Sequence, residues 1–202
     1  MQELVKQLIL NGYLKTPRII EAFLAIDRKD FVSEDQHDEA YWDIPLPIGY
    51  GQTISQPATV AFMLELLQPK AGDTIMDVGA GSCWQTALLA HIVGPQGRVC
   101  AVERICPLLE ESKKHFAKYR FTNTTFFCRD ATKGLPEHAP FDAIIAAASG
   151  RAMIQRWQKE VKVGGRIVMP IELSIWLYIK RSETEFEKHE YPGFAFVPLI
   201  EG

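Results

Sequence analysis

Between residues 58 and 170 the chain alternates two hydrophobic periods. Short apolar runs at Thr74–Val78, Gly97–Glu103, Thr125–Cys128 and Phe141–Ala148 read as strands. The stretches between them carry helical spacing. In Ala58–Leu67, residues Val60, Met63, Leu64 and Leu67 fall along one side; Trp84–Val93, Pro107–Tyr119 and Met153–Val161 follow, the last closed by Gly164-Gly165. Pro69–Asp73 reads as a turn. Such alternation predicts a parallel sheet covered on both faces, wound by right-handed crossovers. Arg166–Pro170 and Leu173–Lys180 read as strands with no helix between them, which predicts an antiparallel edge. Phe194–Leu199 reads as one more strand, and the charged stretch Glu183–Glu190 as a solvated turn or helix.

The first third has a different texture. Val5, Leu8 and Ile9, then Ile19, Ile20, Phe23 and Leu24, recur at helical spacing, with Thr16 as N-cap and Pro17 opening the second helix. A polar stretch runs to Asp38. In the segment 42–57, Pro45, Pro47, Gly49 and Gly51 forbid a helix and argue against a central strand. The same segment is rich in Trp, Ile, Leu and Tyr, so it reads as an ordered loop packed over something rather than a linker.

Composition narrows the class. The 202 residues suit one domain, and 47% hydrophobic with 23% charged residues is ordinary globular content. The net charge of −3 gives no basic field for a nucleic-acid backbone. The basic run Lys113–Arg120 reads as a solvated helix face. No apolar run reaches the ~20 residues of a membrane span, and the start at Met1 lacks the pattern of a signal peptide. A soluble, cytoplasmic protein is expected. Cys83, Cys100, Cys106 and Cys128 show no CxxC spacing, and the histidines are scattered, so four reduced thiols and no metal are expected.

The strongest local chemistry is Asp77-Val-Gly79-Ala80-Gly81-Ser82 between a strand and a helix. Glycines let the backbone turn sharply and approach a ligand. Glu103 ends the next strand, where an acid accepts both hydroxyls of a ribose, and Asp130 ends the one after. A dinucleotide would ask for a third glycine where Trp84 stands, and no Walker lysine follows. A nucleoside without phosphates fits better, S-adenosylmethionine among them, with adenine near Asp130.

These residues carry a resemblance. Ala40-Tyr-Trp-Asp43, the string Pro45-Leu-Pro-Ile-Gly-Tyr-Gly-Gln-Thr-Ile-Ser-Gln-Pro57, Asp77–Gly81, Pro136–Asp142 and Phe196-Val-Pro-Leu199 occur in collinear order, and together they resemble the protein-L-isoaspartate O-methyltransferases. The Gly-Gln-Thr-Ile-Ser-Gln-Pro string is the specific part; the glycine turn is common to all Rossmann-like methyltransferases. The resemblance implies a doubly wound, mostly parallel α/β sheet with an antiparallel C-terminal edge and an N-terminal helical cap. It implies a single domain over 1–202, with cap and active-site loop in 1–57 and a cofactor-binding sandwich in 58–202. It also implies methyl transfer from S-adenosylmethionine to the α-carboxyl of L-isoaspartyl residues in damaged proteins, which promotes their return through a succinimide. By the same resemblance Ser55 is the active-site serine. Cofactor contacts map to Thr53, Ile54, Ser55, Asp77, Gly79, Ala80, Gly81, Ser82, Glu103, Arg104, Asp130 and Ala131. Substrate contacts map to Ile54, Ser55, Ala147, Ala148, Val197, Pro198 and Leu199. No metal, nucleic-acid or membrane partner is implied, and a monomer is expected.

The chemistry suits those residues. A carboxylate, with a reference pKa of about 3.9, is already a nucleophile at neutral pH. The protein has mainly to orient it, which supplies roughly 7–11 kcal/mol, and to exclude water. A hydroxyl donor at Ser55 would orient the acceptor. Three departures from the family pattern lie around the pockets: Cys83 in place of a third glycine, Ala131 in place of a glycine, and Ala148-Ser149-Gly150 in place of Ala-Ala-Pro. They keep open two alternatives, a methyltransferase for another carboxylate or peptide acceptor and a catalytically weak cofactor- or protein-binding module.

Overall fold

The computed structural model describes residues 1–200. Helices α1 (Gln2–Leu10) and α2 (Pro17–Ala25) lead to a loop that folds back as a two-stranded ribbon, β1 (Leu46–Pro47) against β2 (Thr53–Ile54). Then come α3 (Pro57–Leu67), β3 (Thr74–Val78), α4 (Trp84–Val93), β4 (Arg98–Glu103), α5 (Cys106–Phe116) and β5 (Thr124–Cys128). The chain continues through β6 (Phe141–Ala146), α6 (Gln155–Glu160), β7 (Val161–Ile171), β8 (Ser174–Lys180) and β9 (Phe186–Pro192).

The sheet order is β5-β4-β3-β6-β7-β8-β9, parallel from β5 to β7 and antiparallel from β7 to β9. The order reverses direction between β3 and β6, so their carboxyl ends flank the crevice where open α/β sheets bind ligands. Alternating residues feed two cores. Ile75 and Ile145 point into one, shared with the N-terminal helices, α3 and α4; Met76, Val78 and Ile144 point into the other, beneath Trp157 of α6. Phe23 of α2 meets Trp84 edge-on at 5.4 Å, which seats the cap on α4. Thr16 stands at the N-cap of α2, but its hydroxyl donates to Glu65 Oε2 at 2.7 Å and so ties α2 to α3 instead of capping.

Four expectations are corrected. The charged stretch after Glu183 supplies β9, because seven residues pair in antiparallel register with β8 although their outer side chains stay solvated. Phe194–Leu199 forms no strand; Phe194 stacks on Phe62, and a single parallel bridge joins Pro198 to Ser149. Pro198 has no N–H to extend a ladder. Helix α6 ends at Glu160, and Gly164-Gly165 belong to β7 rather than closing a helix. A Cβ on Gly165 would stand 2.7 Å from the Asp142 carbonyl, so only glycine lets β7 approach β6 there. The cysteines are not four free thiols: Cys106 and Cys128 form a disulfide between the start of α5 and the end of β5, while Cys83 and Cys100 are free and buried. Their sequence spacing matches no motif, and only the parallel pairing of β4 with β5 brings them together.

Among the described residues no helix is long and apolar enough to cross a membrane. The basic run around Lys113 is answered locally, Lys113 by Glu110 and Lys118 by Asp30.

Candidate active site

The site grows from the ends of β3, β4 and β5. After Val78 the chain turns at Gly79 (φ +77°) and Gly81 (φ +50°), left-handed values that glycine adopts without strain. The Gly79 and Ala80 amides donate to the Val102 carbonyl at 2.8 and 3.1 Å, so the turn is pulled over the end of β4. Behind it, fully buried Asp77 accepts from Gln85 Nε2 at 2.7 Å and from Thr86 Oγ1 at 2.6 Å. Asp77 thus fastens the turn to the first turn of α4. Burial pushes its pKa up to about 6, opposed by those two hydrogen bonds and reinforced by the charge of Glu103.

The Glu103 carboxylate is held from both sides. Gly81 N–H donates to Oε2 at 3.1 Å and Ile105 N–H to Oε1 at 2.9 Å. A carboxylate offers about four acceptor positions, so each oxygen keeps capacity for another donor. Asp130 ends the β5 segment; its Oδ1 accepts from the Thr132 amide at 2.8 Å and hydroxyl at 2.7 Å, starting a single 3₁₀ turn. Ala131 follows, buried, and its carbonyl takes the Trp157 indole N–H at 2.9 Å.

These ends open into one cavity. Gly79, Gly81, Glu103, Arg104, Asp130 and Ala131 line one side, with Thr53 of the ribbon above. Ala147 and Ala148 form a small-residue floor. Val197, Pro198 and Leu199 also line it, fixed where the Ser149 amide donates to the Val197 carbonyl and the Leu199 amide to the Ser149 carbonyl, both at 2.8 Å. The space between the walls, counted out to the open mouth, is about 740 Å³.

Several expected residues stand elsewhere. Ile54 and Ala80 are buried beside the cavity rather than in its wall, and Asp77 lies behind the turn. Ser82 is buried, and its hydroxyl accepts from the Trp84 amide at 3.3 Å. Ser55 is half-buried just past the ribbon, and its carbonyl accepts from Arg28 at 3.2 Å. Cys83 packs in the core and does not crowd the cavity; burial pushes its thiol well above the usual range, so it is no nucleophile at neutral pH. Wall residues not anticipated are Gln52, Val78, Val102, Ile105, Arg129 and Ile200. All six adjoin anticipated residues in the sequence, so adjacency to those residues was the available signal. Arg129 is steadied by Glu137 at 2.8 Å.

Comparison with known proteins agrees with this architecture. A family model described as protein-L-isoaspartate(D-aspartate) O-methyltransferase matches residues 1–202. A protein-L-isoaspartate O-methyltransferase of Ignicoccus hospitalis is 40% identical, covering 99% of this chain and 97% of its own. One from Methanopyrus kandleri is also 40% identical, covering 98% and 90% respectively. The crystal structure of a Plasmodium falciparum protein-L-isoaspartate O-methyltransferase in complex with S-adenosyl-L-homocysteine superposes with a TM-score of 0.88 at 22% identity, over 99% of this chain and 98% of that one. At that identity it supports the fold. With a match that runs the whole length and relatives at this identity, the chain belongs to the protein-L-isoaspartate(D-aspartate) O-methyltransferase family.

Proposed function

We propose that this chain transfers a methyl group from S-adenosylmethionine to the α-carboxyl of L-isoaspartyl residues in proteins and peptides. The observation that carries the reading is the Glu103 carboxylate, pinned by the Gly81 and Ile105 amides in the wall of a cavity floored by Ala147 and Ala148. The cofactor supplies an electrophilic methyl on a sulfonium, so the acceptor carboxylate needs no base.

The residues present suit that cofactor. Glu103 has acceptor capacity left for ribose hydroxyls. Asp130 and Ala131 flank the place for adenine, with Arg104 beside them. Gly79 and Gly81 keep side chains away from the ligand, and Asp77, Ala80 and Ser82 act through the shape of the turn. Ala147, Ala148 and Val197–Leu199 offer the acceptor a surface of backbone and small or apolar side chains, suited to a backbone lesion rather than to one flanking sequence. Thr53 and Ile54 carry the ribbon over the site, and Ser55 orients the acceptor carboxylate by donating its hydroxyl. Cys83 faces the core, so one departure that favoured a weak binding module loses its force.

We place this activity in a cytoplasmic monomer that acts on damaged polypeptides and on neither nucleic acid nor membranes. In that compartment the Cys106–Cys128 disulfide is read as a transient, redox-sensitive link, since permanent ones are rare in reducing cytosol outside hyperthermophiles.

A paired assay tests the reading. Labelled methyl should enter an isoaspartyl peptide, and the matching aspartyl peptide should stay unlabelled. Equal labelling of both would overturn the assignment of substrate, and failure of S-adenosylhomocysteine to bind by calorimetry would overturn that of cofactor.

A further inference from the structure

Arg28 is fully buried, an uncommon setting for a guanidinium that makes no salt bridge with a carboxylate among the described residues. It sits at the start of a 3₁₀ turn after α2; its two Nη groups donate to backbone carbonyls, and its buried Nε has no hydrogen-bond partner among the described residues. Nη1 donates to Ala40 at 2.8 Å and to Trp42 at 3.4 Å; Nη2 donates to Ile44 at 2.9 Å and to Ser55 at 3.2 Å. Three of these acceptors precede the ribbon and the fourth follows it. One rigid fork therefore closes both ends of the segment that carries Thr53, Ile54 and Ser55.

The same cation is anchored to the cofactor side. Its carbon lies 5.5 Å from the centroid of the Trp84 ring, and Trp84 opens α4 directly behind the glycine turn. Asp43 completes the brace from within the loop, accepting from the Ala58 amide at 2.8 Å and from Gln56 Nε2 at 3.0 Å. Burial lowers the Arg28 pKa to about 10, which leaves it protonated at neutral pH. On the ribbon's other side a Cβ on Gly81 would stand 3.4 Å from Ile48 Cδ1, so the ribbon already rests on the turn.

We infer that Arg28 is a positioning residue for methyl transfer, which sets Ser55 and the ribbon over the cavity while touching neither cofactor nor acceptor. The inference rests on the proposed role of the ribbon and Ser55. A lysine keeps the charge but cannot present two nitrogens in one plane to carbonyls on either side of the ribbon. A residue that only supports the fold would change stability and leave the activity per folded molecule alone.

The test compares the parent enzyme with Arg28→Lys and Arg28→Gln under conditions where each is folded by circular dichroism. Expected for Arg28→Lys is a fall in kcat/KM for an isoaspartyl peptide of about 100-fold, the scale on which a misplacement near 1 Å acts. The Kd for S-adenosylhomocysteine should stay within about threefold. Hydrogen exchange should accelerate at the Ile48 and Gln52 amides and remain unchanged in β3 and β4. Unaltered kcat/KM per folded molecule, or unaltered exchange in the ribbon, would overturn the inference. Should the variants fail to fold, the parent alone still decides it. Its Arg28 Nη protons should give separate, slowly exchanging NMR signals, and one averaged signal would overturn it. The exchange and NMR readouts need no turnover, so a parent that fails to methylate isoaspartyl peptide would refute the functional reading without deciding the role of Arg28.

Discussion

Cys83 holds a left-handed backbone, φ +67° and ψ 12°, at the N-cap of α4. Such a conformation costs a side-chain-bearing residue roughly 1–2 kcal/mol, which explains in physical terms why a glycine is expected there. Cys83→Gly should therefore be more stable than Cys83→Ala by about 1 kcal/mol in urea denaturation, against the usual helix ranking. Equal stabilities would show that the turn carries no such cost. Asp77 makes a pH prediction. Its folded pKa near 6 exceeds the ordinary 3.8, so the folded protein keeps a proton that the unfolded chain has lost. The stabilisation is full below 3.8 and disappears as pH rises through about 6. From pH 7.5 to 4.5 the parent should gain about 2 kcal/mol relative to Asp77→Asn; a difference flat across that range would contradict the burial argument. Ser55→Ala should lower kcat on an isoaspartyl peptide by at least tenfold with little change in cofactor affinity, and unchanged turnover would remove Ser55 from the reaction. At this scale the acids at strand ends and the glycine pair were readable, since spacing after a strand dictates where they point. Arg28 was not. A lone arginine after a helix reads as surface, and its carbonyl partners are defined only once the loop has folded.

Among the elements, the central strands were legible because burial on both faces leaves unbroken apolar runs. Strand β9 was hidden by the opposite circumstance. Its stability comes from backbone pairing with β8, which leaves little trace in side-chain pattern. The ribbon shows a third case: prolines and glycines forbid a helix and argue against a central strand, and two residues on each side pair outside the main sheet. The disulfide is a contact between elements and lies beyond any local reading. It closes a separation of 22 residues, for which loop entropy gives about 3 kcal/mol. Replacing both cysteines by serine should lower unfolding stability by up to that amount and abolish any effect of a reductant. The same loops carry Glu103, Arg104 and Ile105 on one side and Arg129 and Asp130 on the other. Cofactor affinity should accordingly weaken on reduction of the parent, measured by calorimetry with S-adenosylhomocysteine. An affinity indifferent to reductant would show that β4–β5 pairing alone fixes the rim.

At the scale of the whole molecule, the seven-stranded sheet has two unequal ends. At one end β5 is short and half-exposed; at the other β9 offers its outer hydrogen-bonding edge to solvent. Glu187, Lys188, His189 and Glu190 occupy the middle of that edge, and Lys188 and Glu190 stand opposite Tyr178 and Trp176. Replacing Lys188 and Glu190 by valine should leave the fold intact and raise light scattering on storage, by joining new apolar surface to those aromatics. Unchanged scattering would mean that the edge needs no guard. The family's substrates are ageing polypeptides, and polypeptides that have lost part of their structure present bare strands in search of a partner. A catalyst with an open, greasy margin would be recruited into the deposits such chains build. With charges that must shed their water before another strand can add, β9 resists that recruitment.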